Sequence, residues 1–463
     1  MIPPSVLPDA MPAAPDWARV REETIAHLQR LIRTNTVNPP GNEIAVARYL
    51  EMVLGHEGIE TLVLEPAPGR AAVVARLRGS GEKGPVLLLA HMDVVGVEAA
   101  GWSVDPFGGE IRDGHLYGRG AIDDKGMLAA NLETMLLLKR HVLDAGGSLE
   151  RDVVFVATSD EEAGGEWGID WLIARHPESI RAELALNEGG RTRIVGGRPL
   201  YLAVQCAEKT PCRVRLVARG PGGHASIPLP GNAIARLARA LSIVAAHREP
   251  VRLGPVTRGF FSELSRVWPD RAQARAMRDV GSPDARRVAR GARVLSRAPG
   301  YDALLRSGIS PTLVQGGVRG NVIPTDATAT LDVRLLPGES LARLVERLAR
   351  AIGDPLVTVE PVSGDAPAPA SPVDSPMFTA IAAAARELAP EMAVIPYLGT
   401  GATDSARLRA WGVHAYGVLP FPMTQSDEER MHGNDERIPL AALDFGTRLI
   451  TAAVARVAGG GAR

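Results

Sequence analysis

Five side chains able to ligate a metal, His91, Asp123, Glu162, Glu188 and His432, punctuate the chain, with a second carboxylate, Glu161, beside the third. Two imidazoles, two terminal carboxylates and one carboxylate able to bridge suit a pair of cations about 3.5–4 Å apart. Glu161 and Glu162 are neighbours, so on an extended chain they point to different sides, and one can bind metal while the other faces water. That division suits hydrolysis by a general base. In the triplet His91-Met92-Asp93 the aspartate can accept the second ring N–H and fix the imidazole tautomer. Taken singly, each residue has an ordinary reading: a strand-end histidine, a helix cap at Asp123 or Asp124, solvated loop acids and a surface histidine. Their joint occurrence carries the argument.

The elements that must position these groups are visible around them. PVLLLAH (Pro85 to His91) and RDVVFVATSDEE (Arg151 to Glu162) are unbroken apolar runs that end abruptly in polar residues. Such runs predict parallel strands covered on both faces. Ligands collect outside the carboxyl ends of these strands, so His91 and Glu161-Glu162 are expected in one crevice. Asp123 lies in the glycine-rich turn YGRGAIDDKG, which opens onto a helix over 127–143, and Glu188 follows the apolar ALN before two glycines.

The 463 residues exceed what one hydrophobic core usually fills, so two domains are expected. A formal net charge of −1 and no block of like charge exclude nucleic acid and an anionic membrane surface as evident partners. A small-molecule or peptide substrate fits better. The first 17 residues carry no signal-peptide pattern and no run approaches membrane-spanning length, so the expectation is a cytoplasmic protein with a frayed leader. Cys206 and Cys212 lack metal-site spacing and read as buried thiols.

The texture of the chain changes twice. Residues 1 to about 198 alternate strand and helix, the first helix capped by Asp16 and running to about Arg33 with Val20, Thr24, Leu28 and Leu31 on one face. Beyond them, CRVRLVARG (Cys212 to Gly220) and TDATATLDVRLLPG (Thr325 to Gly338) alternate apolar with polar residues, as antiparallel strands with one wet face do. An Arg-rich stretch with helical segments fills 250–308. After the Pro/Ala-rich connector GDAPAPASPVDSP the first texture returns. The expected fold is α/β, a mixed sheet flanked by helices, split into 1–198 and 366–463 around an inserted smaller α+β domain, 199–365.

The motifs HMD (91–93), GRGAIDDKG (118–126), SDEEAGG (159–165), NEGG (187–190), GGHAS (222–226), GNVIP (320–324), DVRLLPG (332–338), GTGATD (399–404) and HGNDE (432–436) resemble those of the dinuclear zinc peptidases and deacylases. That family includes aminoacylase, acetylornithine deacetylase, succinyl-diaminopimelate desuccinylase, glutamate carboxypeptidase and Xaa-Gly-type carboxypeptidases and dipeptidases. The resemblance implies a zinc-exopeptidase-like catalytic domain and an inserted lid or dimerisation domain. His91 and Glu188 would hold one zinc, Glu162 and His432 the other, and Asp123 would bridge them; cobalt or manganese could replace zinc. Asp93 would orient His91, Glu161 would be the general base, and the Asp123–Asp124 peptide would be cis.

Resemblance also implies that His224 reaches across a homodimer to the oxyanion, that Asn321 contacts substrate and that Arg334 clamps the substrate carboxylate, a task its bidentate fork suits. Gly401 and Thr403 would line the same pocket, although Ala402 stands where a second glycine is usual. The activity so implied is hydrolysis of an amide beside a free carboxylate, by an exopeptidase or, alternatively, an N-acyl-amino-acid deacylase. A single-domain zinc aminopeptidase would lack the inserted region, and a catalytically silent relative would have lost a ligand or the base, whereas none is missing.

Overall fold

A computed structural model describes residues 14–461. The leader reading falls mostly on residues 1–13, which lie outside the described residues. Contacts divide the chain into two compact units: one reaches to Cys206 and resumes at Ser371–Tyr397 and from Thr403 onwards, and the other is Ala207–Ala370 with Leu398–Ala402.

In the first unit, β1 (Glu60–Leu64), β2 (Ala72–Leu77), β3 (Val86–His91), β4 (Val153–Thr158) and β5 (Leu184–Asn187) belong to a ten-stranded mixed sheet. β3 runs parallel between β4 and β5, with His91 opposite Thr158, and every residue of the three strands is buried. The apolar runs therefore form interior strands, and their polar residues emerge where the strands stop. β2 pairs antiparallel with both β1 and β4, so the sheet is mixed, as expected of the α/β class.

Helices cover both faces. Ile169 and Leu172 of one helix and Leu408 of another pack with Leu87, Leu89, Val154 and Val156 on one side. Against the other lies α3 (Lys125–Leu138), buried along its whole length, beside α1 (Trp17–Ile32) and the last helix, Leu440–Ala458. Asp16 caps α1 by accepting from the Ala18 and Arg19 amides, and Val20, Thr24, Leu28 and Leu31 are its buried face. α2 (Glu43–His56) packs against β1 and β2.

The second unit is built on a four-stranded antiparallel sheet in the order Gly308–Gly316, Asp326–Leu335, Thr210–Arg219, Val357–Gly364. Alternate residues Val214, Leu216, Leu331 and Val333 point inward onto Leu237, Leu344 and Leu348 of two helices. At roughly 1.5–3 kcal/mol for each fully buried large side chain, this layer gives the unit its own core. The Arg-rich stretch forms four consecutive helices between Pro255 and Leu305. Cys206 and Cys212 are buried and free. Among the described residues no helix is long and apolar enough to cross a membrane.

Candidate metal centre

His91 ends β3 and is almost wholly buried. Its Nε2 lies 2.9 Å from Asp123 Oδ1 and 3.8 Å from Glu188 Oε1. The other oxygen of Asp123, Oδ2, lies 3.1 Å from His432 Nε2, which is also 3.2 Å from Glu162 Oε1. One carboxylate therefore spans two imidazoles, each with a further carboxylate beside it. The five residues singled out in the sequence thus meet in one place.

The supporting bonds explain why they hold these positions. His91 Nδ1 is 3.0 Å from the backbone carbonyl of Asp93 and 3.5 Å from its carboxylate, so both oxygens of this residue face the ring, the main-chain one nearer. The carboxylate of Asp93 also accepts from the amides of Glu161 and Glu162 and from Asn38 Nδ2. A single residue at the end of β3 thus fixes both the first imidazole and the turn after β4.

That turn begins at Asp160, whose φ of +69° is unusual for a residue with a Cβ. Its carboxylate is tied to Arg70, Asn38 and the Trp167 amide, and Arg70 also pairs with buried Glu43 at 2.8 Å. After Glu188 the chain passes so close to the neighbouring strand that a Cβ on Gly190 would sit 2.1 Å from the Ala203 carbonyl oxygen. Only glycine fits there.

His432 comes from a loop, with φ +61°, and is held by a buried pair at its back. Arg119 donates to the His432 carbonyl at 3.1 Å and to Glu436 at 2.6 Å, while the other Glu436 oxygen receives the amides of Ile122 and Asp123. The peptide between Asp123 and Asp124 is cis. Asp124 accepts the backbone N–H of His91.

Charge is heavily concentrated here. Burial pushes the carboxyls of Glu161, Glu188 and Asp124 well above the usual range, with neighbouring carboxylates adding to the shift. Asp404, buried at the start of a helix and bonded to Thr158, is raised to about 7, again chiefly by burial. Burial opposes the His91 cation, yet bonds to Asp123 and Asp93 raise its pKa well above the ordinary value. His432 is raised to about 10, first by Asp123 and then by Glu162.

A cation pair fits these residues on an observation independent of charge. Glu162 Oε1 is buried and close to His432 Nε2, yet it is outside hydrogen-bonding alignment and has no partner. Nitrogen and oxygen atoms converging in this way are arranged as ligands to common ions are. One ligand atom each from His91, Asp123 and Glu162, and one each from His91, Glu161 and Glu188, fall within 4.8 Å of one another.

Of the remaining candidates, His224, Asn321, Arg334 and Gly401 belong to the second unit and Thr403 to the first. In the second unit, His224 is exposed and its Nδ1 pairs with Ser226 Oγ at 2.6 Å. Asn321 is exposed, its carbonyl accepting the Ala225 amide. Arg334 is turned onto Asp332 of its own strand, 2.8 Å away. Gly401 belongs to this unit, whereas Thr403 belongs to the first and caps the helix Asp404–Ala410 through the Ser405 amide.

Sequence reading missed Arg119, Glu436, Asp124, Asp404 and the Asn38–Arg70–Asp160 group as supports. Arg119 and Asp124 stand inside the glycine-rich motif, and Glu436 ends HGNDE. Charged residues in segments otherwise suited to burial are the signal that could have found them.

Comparison with known proteins gives the same family from end to end of the site. Residues 87–456 match peptidase family M20/M25/M40. The chain is 27% identical over 442 residues to an N-fatty-acyl-amino acid synthase/hydrolase of Xenopus tropicalis, covering 92% of this chain and 84% of that protein. It is 29% identical to a probable carboxypeptidase S-like protein of Dictyostelium discoideum (77% and 68% covered) and 27% identical to human aminoacylase-1 (93% and 95%). Among solved structures, an M20 family metallo-carboxypeptidase from Sulfolobus solfataricus superposes with a TM-score of 0.66 at 20% identity, covering 94% of this chain and 99% of that one. Human carnosine dipeptidase 1 gives 0.66 at 18%, with 97% and 99% covered. At those identities the likeness speaks for the fold.

Proposed function

Because this chain belongs to peptidase family M20/M25/M40, we propose that it hydrolyses a peptide bond next to a free carboxylate, as a carboxypeptidase or dipeptidase using two zinc ions. Hydrolysis of a C–N bond is common to the peptidases and aminoacylases of the family. The observation that supports the finer reading best is Asp123 spanning His91 and His432, with Glu188 and Glu162 at the two ends.

In this proposal His91 and Glu188 hold one ion, Glu162 and His432 the other, and Asp123 both; cobalt or manganese suits the same donors. Such ions, when bound, polarise a carbonyl and acidify water. The chain's own residues do the rest. Asp93 holds the Glu161 and Glu162 amides, so Glu161 is kept beside Glu188 and His91 without spending its carboxylate on a structural bond. Glu161 takes the proton from the attacking water and returns it to the departing nitrogen.

His224 stabilising the oxyanion from a second copy in a homodimer, Asn321 touching substrate, and Arg334 with Gly401 and Thr403 receiving the carboxylate complete the proposal on resemblance alone. A second reading, N-acyl-amino-acid hydrolysis, is favoured by the names of the relatives from Xenopus and human. The zinc-reconstituted chain, offered dipeptides and N-acyl amino acids with products weighed by mass spectrometry, separates the two. Cleavage of dipeptides supports the first, cleavage of acylated amino acids alone the second, and no cleavage of either rejects both.

A further inference from the structure

We infer that this chain carries another divalent cation site, between α1 and α3, made by His27 Nε2 and the Glu133 carboxylate with Glu23 as a third donor. Glu23 and His27 stand one turn apart on α1, and Glu133 faces them from α3. One ligand atom from each lies within 4.8 Å of the others, and His27 Nε2 is 3.9 Å from both carboxylates. Glu133 lies nine residues beyond Asp124, roughly 13 Å along a helix, so this place is separate from the centre described above.

Two features point to a ligand rather than to a chance meeting of acids. Glu133 is fully buried and neither of its oxygens has a hydrogen-bond partner; His27 Nε2, also buried, has none either. A buried carboxylate left unbonded is costly, and an apolar residue would fill the same space in a helix that is otherwise almost wholly apolar. His27 Nδ1 is 2.7 Å from Tyr49 Oη, which fixes the ring and leaves Nε2 aimed at Glu133, as outer partners orient metal-binding histidines.

Charge agrees. Arg140 pairs with Glu23 and Glu57, and Arg19 acts on Glu23 from the same helix, whereas Glu133 has no cation bonded to it. A cation at Glu133 would give that buried carboxylate the counter-charge it lacks. Burial keeps His27 below its usual pKa, so its ring is neutral and able to ligate at pH 7. Nitrogen with carboxylate oxygens suits zinc. Bound there, it clamps α1 to α3 and takes no part in hydrolysis.

The test uses the whole chain, stripped of metal and given zinc back. The wild type should retain one zinc ion per chain more than His27→Gln or Glu133→Gln after dialysis, by mass-spectrometric metal analysis, with hydrolysis unchanged in the variants. Melting temperature should rise with the last equivalent of zinc only in the wild type. Equal zinc content in all three proteins overturns the proposal. Should a variant fold poorly, anomalous diffraction at the zinc edge from wild-type crystals grown with stoichiometric metal decides: a peak about 2.0–2.2 Å from His27 Nε2 and Glu133 supports the site, and none there rejects it.

Discussion

Two regions of the first unit bury carboxylates against histidine, and they are built differently. At the end of β3 the imidazoles share Asp123, and every main group is fixed from behind: His91 by the Asp93 carbonyl, the Glu161 turn by the Asp93 carboxylate, and His432 by Arg119. Between α1 and α3 the His27 ring is steadied by Tyr49 and Glu23 by Arg140, but Glu133, the buried donor, rests on helix packing alone. The difference teaches how to tell a reaction centre from a clamp. Reaction demands a free carboxylate held in place by its backbone, as Glu161 is; a clamp demands only converging donors.

The sharpest way to break this comparison is to remove the free carboxylate. Glu161→Gln keeps the shape and the backbone bonds to Asp93 but cannot accept a proton. Turnover should fall about 10²–10⁴-fold while bound metal stays constant. Near-normal turnover would deny Glu161 its role and leave the two regions chemically alike.

Next in size is the fastening behind His432. Arg119→Ala leaves the Glu436 carboxylate buried without its cation, a loss on the order of 3–5 kcal/mol. Urea unfolding of the first unit should move accordingly; a variant as stable as the wild type would mean that the loop needs no such support. A smaller effect is expected at Asp93→Asn. The backbone carbonyl that orients His91 survives, but the acceptors for Glu161 and Glu162 are weakened, so metal affinity should drop about 10–100-fold with little change in melting temperature. Unaltered affinity by competition with a chelator would remove Asp93 from the centre's support.

What was legible in the sequence follows the same division. β3 and β4 were readable because an interior parallel strand must be apolar throughout, which makes His91 and Glu161-Glu162 conspicuous where the run ends. The strands Thr210–Arg219 and Asp326–Leu335 were readable from their alternation. His432 was not legible from an element at all, since it sits in a loop; its motif singled it out. Arg119 and Glu436 escaped because they meet over more than 300 residues of sequence, and no local pattern encodes that pairing. Glu133 was in principle visible, as a lone acid in KGMLAANLETMLLL. Periodicity, however, reads such a residue as the wet face of a helix, and only packing shows that α3 has none.

The finest distinction between the regions is a proton. Without metal, burial raises Glu133 from its ordinary 4.5 to about 8. Between those values the folded chain holds a proton that the unfolded chain has released, so stability from this group is complete below about 4.5 and is lost as pH rises toward 8. His27, shifted down by burial, acts in the opposite sense, but only below 6.5. Between pH 6.5 and 8 Glu133 therefore acts alone within the cluster. Glu133→Gln is neutral at every pH, so metal-free variant and wild type should diverge by at most about 1.4 kcal/mol per pH unit across that window, the variant gaining. Stoichiometric zinc should reverse the order, because the ion needs the ionised carboxylate that the bare helix pair resists. Parallel stability curves, with and without zinc, would show that Glu133 neither titrates nor ligates there.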